Sequence, residues 1–318
     1  MSEQTRPVLV IGSLNMDLVV QCERLPERGQ TIMGSGFFTA PGGKGANQAV
    51  AAARLGARVS MAGCVGRDAF AETLRAGLQA DGIRIDDVLP VDGPTGTALI
   101  TVDAAGANTI VVASGANMAV DPALVDRALA NAGGPGILLL QHEIPPEANA
   151  RAVQAAHRAG WFVMLNPAPA RAIPPDLLSL VDLVTPNETE AAAIAGRPVA
   201  NRADAVAAAR TLLDLGARAV LVTLGGDGAI WCDRQRALHC PAVTVQAVDT
   251  TAAGDAYIGA LAAALAERQS LEQSLGFAAA AAALAVTRLG AQPSLATRAE
   301  LQAFVAGHGM SATEVLPD

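Results

Sequence analysis

"GILLLQHEIPPEANARAVQAAHRAGWFVML" (136–165) contains two apolar runs with a helix-period stretch between them. "GILLLQ" (136–141) and "WFVML" (161–165) read as buried strands, and 146–159 as the helix joining them. The same alternation continues in both directions. Toward the N-terminus, "VLVIG" (8–12) and "RVSMAGCVG" (58–66) read as strands, the second leading into a helix through "DAFAETLRAGLQADG" (68–82). Toward the C-terminus, "VDLVTP" (181–186) and "RAVLVTLG" (218–225) read as strands, with helices at 188–195 and 201–214. Beyond 241 the pattern predicts helices only, at 253–267, 270–288 and 296–306. The second is apolar nearly all round and should lie against the sheet. The expectation is an α/β fold with a mostly parallel central sheet flanked by helices.

Two regions break the rhythm. "DLVVQCERLPERGQTIMGSGFF" (17–38) and "GTALITVDAAGANTIVVAS" (96–114) read as hairpins of half-buried strands. Inserted between α/β units, they predict a small projecting sheet within a single domain spanning 1–318. It would act either as a lid over the strand ends, where open α/β sheets bind ligands, or as edge decoration.

Composition narrows the function. A net charge of −8, one Tyr and two Trp give neither the basic stripe nor the stacking platform that nucleic-acid binding requires. The polar start "MSEQTRP" does not read as a signal peptide, and the apolar run 277–286 is too short to span a bilayer. Cys22, Cys64, Cys232 and Cys240 form no C-x-x-C pair and are expected to be reduced and buried. A soluble cytoplasmic protein is the expectation. There is no Walker spacing, G-x-G-x-x-G, G-x-S-x-G or H-E-x-x-H, and His142, His157, His239 and His308 are scattered. Of the 22 basic Lys and Arg residues, the only lysine is Lys44, in "PGGKGANQAVAAARLGA" (41–57). An ammonium and a guanidinium are not interchangeable at a crowded site.

The strongest local signal is "DTTAAGDAYIGALAAAL" (249–265). Ala252, Ala253 and Gly254 precede a long helix, where free backbone N–H groups and small side chains let an anion approach. Asp255, in the first turn, is either a helix-stabilising acid or a general base beside an anion hole. "TPNETE" (185–190) places Asn187 and Glu190 three apart, as a Mg²⁺ site or a capping-box variant. "TLGGDG" (223–228) is either a turn under a nucleotide or an ordinary hairpin. Asn15, Asp17 and Glu143 follow strands at the ligand-binding end and suit sugar hydroxyls or strand-end turns.

Together the segments N-x-D, GGKGAN, QHE, TPNETE, TLGGDG, DTTAAGD and TRLGAQPS resemble the ribokinase-like (PfkB) family of sugar kinases across residues 7 to 306. The resemblance implies a three-layer fold and ATP-dependent phosphorylation of a sugar primary hydroxyl, that of D-ribose first. Fructose, a keto-deoxy sugar acid or a nucleoside as acceptor, or a non-catalytic binding regulator on the same fold, stay open. It implies that Asp255 is the base and that Ala252, Ala253 and Gly254 are the anion hole. Asn15, Asp17, Gly43, Lys44, Asn47 and Glu143 would hold the sugar. Asn187, Thr223, Gly225, Gly226, Gly228 and Gly254 would line the nucleotide side, with Glu190 placing Mg²⁺. A K⁺ activator would sit among Asp249, Thr251, Ala285, Arg288, Gly290 and Ser294. A homodimer through the lid is also implied. Two departures stand out: Ala256 and Ile258 in "GDAYIG" (254–259) replace the family's frequent Thr and Asn, and Ala279 replaces a frequent His or Asn. The first should alter helix packing or the acceptor pocket, the second the base contacts.

Overall fold

The computed structural model describes residues 5–316. Its elements begin β1 (Val8–Ile11), β2 (Asn15–Gln21), β3 (Gly36–Gly42), α1 (Lys44–Arg54), β4 (Val59–Val65), α2 (Ala69–Ala80) and β5 (Arg84–Pro90). They continue as β6 (Gly96–Val102), β7 (Asn108–Ala113), α3 (Pro122–Asn131), β8 (Ile137–Gln141), α4 (Pro146–Arg158) and β9 (Phe162–Asn166). Next come α5 (Pro175–Leu178), β10 (Leu183–Val184), α6 (Glu188–Ala195), α7 (Arg202–Asp214), β11 (Val220–Thr223), β12 (Ala229–Cys232) and β13 (Ala237–Cys240). The last are α8 (Ala253–Ala266), α9 (Leu271–Ala285), α10 (Arg298–His308) and β14 (Glu314–Leu316).

The stretch 136–165 forms the expected crossover, with β8 and β9 parallel neighbours. The large sheet runs β14-β13-β12-β11-β10-β9-β8-β1-β4-β5. It is parallel from β5 through β11 and antiparallel from β11 through β14. Alternation along β1 sends Val8 and Val10 into a core shared with α1, α2, α8 and α9. Leu9 and Ile11 enter a second core shared with α3, α4 and α7. Helices thus cover both faces of the sheet, which explains why its central strands read as continuous apolar runs.

A separate four-stranded sheet, β3-β2-β6-β7, leaves the C-terminal end of β1 after three residues. Its strands reach further toward the large sheet than 17–38 implied. Asn15 pairs with Gly42 on one side and Gly96 on the other, so Asn15 and Asp17 lie on a strand rather than in a turn.

Other expectations need correction. The strand at 181–186 shrinks to Leu183–Val184, and at its C-terminal end Pro186 has no N–H to extend the ladder. The chain past 241 is not purely helical, since β14 adds an edge strand against β13. Helix α9 packs chiefly along α8, which lies between it and α1, and meets the sheet at β13. All four cysteines are free and buried. Among the described residues no helix is long and apolar enough to cross a membrane.

Candidate active site

The glycine-rich segment turns directly into α1, whose N-cap is Gly43. Its first turn contains no acid of its own, and Glu143, in the loop after β8, fills that role. Glu143 Oε2 accepts from the Lys44 backbone N–H (3.2 Å) and the Ser13 hydroxyl (2.5 Å), and Ser13 Oγ accepts from the Gly45 N–H (3.2 Å). A carboxylate at a helix N-terminus is stabilised by the helix dipole. Gly42 has no side chain because the Asp17 carboxylate occupies the space a Cβ would take. Asn15 is buried, and its Oδ1 accepts from Asn117 Nδ2 at 2.7 Å.

The second signature segment meets the first at one carboxylate. Asp255 is buried in the first turn of α8, across from α1. Asn47 Nδ2 donates to its Oδ2 at 2.9 Å, and Gln48 Nε2 to its Oδ1 at 2.9 Å. Asn47 Oδ1 is buried without a hydrogen-bond partner. An orphaned acceptor beside a carboxylate suits a polyol, whose hydroxyls can donate to both. Ala252, the N-cap of α8, has φ +60°, left-handed for a non-glycine residue. Such a conformation costs roughly 1–3 kcal/mol and persists only when the surroundings hold it. It opens the helix so that Ala253 and Gly254 border a cleft.

Lys44 is surrounded by carboxylates. Burial works against its charge, but Asp255, Glu143, Glu190 and Asp17 outweigh this and raise its pKa. Burial, then Glu143 and Asp255, push the Asp17 carboxyl up to about 7, against the pull of Lys44. Burial likewise raises Glu190, opposed by a backbone hydrogen bond from Asn187 and by Lys44. With four carboxylates around one ammonium, the locality repels anions, and a polyphosphate would need a counter-cation there.

The adjoining cleft has a volume of about 400 Å³ and is largely apolar. Thr223, Gly225, Gly226 and Gly228 form one wall, and Ala253, Gly254, Tyr257 and Ala279 form another. The glycine turn is a hairpin connection from β11 to β12, and it also borders this cleft. Asn187 adjoins it through a bridge to Thr223. The Asn187–Glu190 pair does form a capping box, with Glu190 N donating to Asn187 Oδ1 (2.8 Å) and Asn187 N donating to Glu190 Oε2 (2.9 Å). Among the described residues no three His, Cys, Asp or Glu converge as a protein-only metal cage.

In the loop leading into α8, Asp249 ties two segments together. Its Oδ1 accepts from Thr251 N–H and its Oδ2 from Gly290 N–H, both at 2.8 Å. Arg288 directs its guanidinium to Glu300 (2.9 Å) and Ser294 Oγ donates to Ala291 O (2.7 Å). Ala285 is buried and its carbonyl accepts from Arg288 N–H.

Ala256 and Ile258 point into the protein interior rather than the cleft. Both are buried in the core shared with α1, so their effect is on packing. Ala279 lines the cleft. Sequence reading missed Ser13, Gln48, Asn117, Gln141 and Asn166, all buried and hydrogen-bonded around the site. Gln48 was within reach, since it directly follows Asn47 in the quoted segment.

Comparison with known proteins accords with this geometry. A family model described as "pfkB family carbohydrate kinase" matches residues 5–298. A ribokinase of Haemophilus influenzae is 40% identical over 301 residues, covering 94% of this chain and 98% of the relative. A deoxyribokinase of Salmonella typhimurium is 38% identical over 289 residues, covering 90% and 94%. A ribokinase structure from Arabidopsis thaliana, solved with ribose and ATP, superposes with a TM-score of 0.87 at 35% identity, covering 95% of this chain and 99% of that one. The chain belongs to the pfkB family of carbohydrate kinases.

Proposed function

We propose that the protein transfers the γ-phosphoryl group of ATP to the O5 hydroxyl of D-ribose, giving ribose 5-phosphate and ADP. One observation carries this reading: the Asp255 carboxylate lies where the glycine-rich segment, through Asn47, meets the N-terminus of α8. A hydroxyl acceptor held by Asn15, Asp17, Gly43, Lys44, Asn47 and Glu143 would approach Asp255 from one side. ATP in the cleft along Thr223, Gly225, Gly226 and Gly228, next to Asn187, would present its γ-phosphate from the other.

Asp255 takes the hydroxyl proton as O5 attacks phosphorus in line, and the bond to the β-γ bridging oxygen breaks. Backbone N–H groups at Ala252, Ala253 and Gly254 stabilise the equatorial oxygens, aided by the helix dipole. The proton then leaves Asp255 for solvent with product release. Lys44 offsets charge between the two substrates.

The donor set fits Mg²⁺ as a shared ion. Mg²⁺ commonly keeps waters and binds one or two carboxylates plus substrate phosphates, and Glu190 has one oxygen outside its cap. When bound, the ion neutralises phosphate charge in this acidic locality. A K⁺ activator would sit by Asp249, with oxygens of Thr251, Ala285, Arg288, Gly290 and Ser294. Arg288 would contribute its carbonyl, since its guanidinium pairs with Glu300. Such a cation would steady the 249–254 loop, whose Ala252 is strained.

The small sheet would serve as lid and dimer interface within a single domain. It exposes Phe37, Phe38, Leu99, Ile110, Val111 and Val112, more apolar surface than a solvated edge requires. The deciding experiment is an acceptor panel (ribose, 2-deoxyribose, fructose, a keto-deoxy sugar acid and a nucleoside) with ATP and Mg²⁺, at low and high K⁺. Ribose should give the highest kcat/KM, with stimulation by K⁺. Preferred turnover of another acceptor would overturn the assignment of ribose.

A further inference from the structure

We infer that Gln48 is a positioning residue for the reaction: it fixes the orientation of the Asp255 carboxylate through an amide relay that starts at a backbone carbonyl. The inference rests on the reading of Asp255 as the base.

The relay can be followed from its fixed end. The carbonyl oxygen of Thr185 can only accept, so Asn166 must turn its Nδ2 toward it, at 2.8 Å. Asn166 Oδ1 then faces Gln48, which must present Nε2, at 3.2 Å. The same Nε2 donates to Asp255 Oδ1 at 2.9 Å, so both of its hydrogens are used. Gln48 Oε1 accepts from Gln141 Nε2 at 2.6 Å. Reversing the Gln48 amide would aim its oxygen at two other oxygens, inside a fully buried site. One orientation therefore survives, set from β9 and the segment after β10 and delivered through α1 to α8.

Its consequence is geometric. Asn47 holds Oδ2 and Gln48 holds Oδ1, so the carboxylate has one neutral donor on each oxygen and its plane cannot turn. Asn47 also borders the acceptor, whereas Gln48 is 0% exposed and its side-chain hydrogen bonds go to the base and the relay. Removing Gln48 should leave substrate binding intact and cost turnover, because a base that rotates spends less time aligned with the hydroxyl proton.

The test compares wild type, Gln48→Met, Asn166→Ala and the double variant, with Asp255→Asn as a control for the base itself. Gln48→Met preserves length and removes both donors. Its kcat should fall on the order of tenfold or more, the scale of a hydrogen bond to a charged group, with KM for sugar and ATP within about twofold. Asn166→Ala should lower kcat less, and the double variant should be no worse than Gln48→Met alone. An unchanged kcat, or kcat and both KM values changing together, would overturn the positioning role. If Gln48→Met does not fold, Asn166→Ala decides alone: a lower kcat at unchanged KM supports the relay, and no kcat effect refutes it. Near-normal turnover by Asp255→Asn would instead refute the underlying reading of the base.

Discussion

At the residue scale, the site combines one lysine with buried acids whose ionisation is coupled. Asp17 is the informative member, because its carboxyl is held up to about 7 by burial and by Glu143 and Asp255. If Asp17 accepts hydrogen bonds from the sugar as proposed, it does so ionised, so kcat/KM for the sugar should fall as pH drops below about 7, approaching tenfold per unit. Asp17→Asn should remove that dependence along with much of the affinity, measured by sugar kinetics across pH 6 to 8.5. A pH-independent wild type would contradict this role. The same shift has a stability sign. Ionised Asp17 is disfavoured in the fold, so its contribution to stability improves as pH falls from about 7 toward its ordinary value of 3.8.

Legibility in the sequence follows a similar division. Asp255, Asn47 and Lys44 stand in short segments whose glycines and spacing are local signals. Asn166 and Asn117 do not, and Gln48, though it follows Asn47 in such a segment, shows nothing locally of what it meets. Amide side chains carry no periodicity of their own, and Gln48 meets its partners across 118 and 207 residues of chain. Only the packed fold makes them neighbours.

At the element scale, the contact between α1 and α8 determines whether Asp255, the proposed base, stays in register with Asn47 and Gln48. Both helices are alanine-rich and approach closely at Gly259, where an added Cβ would lie 2.5 Å from Ala51 Cβ and 2.7 Å from Gln48 O. Gly259→Ala should force the helices apart, destabilising the protein by about 1–3 kcal/mol. It should also lower kcat by moving Asp255 away from Asn47 and Gln48. Thermal unfolding and turnover read the two effects, and an unchanged Tm would show that the helices yield without cost. Most of the parallel strands and helices were legible from period and length, but the parallel edge strand β5 and helix α3 were not anticipated. The β12–β13 hairpin and β14 were not, because strands of four and three residues carry too little pattern to separate from loop.

At the scale of the whole molecule, two sheets cooperate: a large one that aims its strand ends at the site, and a small one that extends from β1 with an apolar surface. If that surface pairs two copies, Val111→Glu should yield a monomer by sedimentation with a raised sugar KM. A variant still dimeric would place the interface elsewhere. The central claim, however, is that the two signature segments converge on Asp255 to deprotonate a sugar. It is tested most directly by ribose-dependent ADP release, comparing wild type with Asp255→Asn. Turnover should drop by on the order of 10²–10⁴ while ATP binding persists; near-normal turnover by the variant would contradict the mechanism.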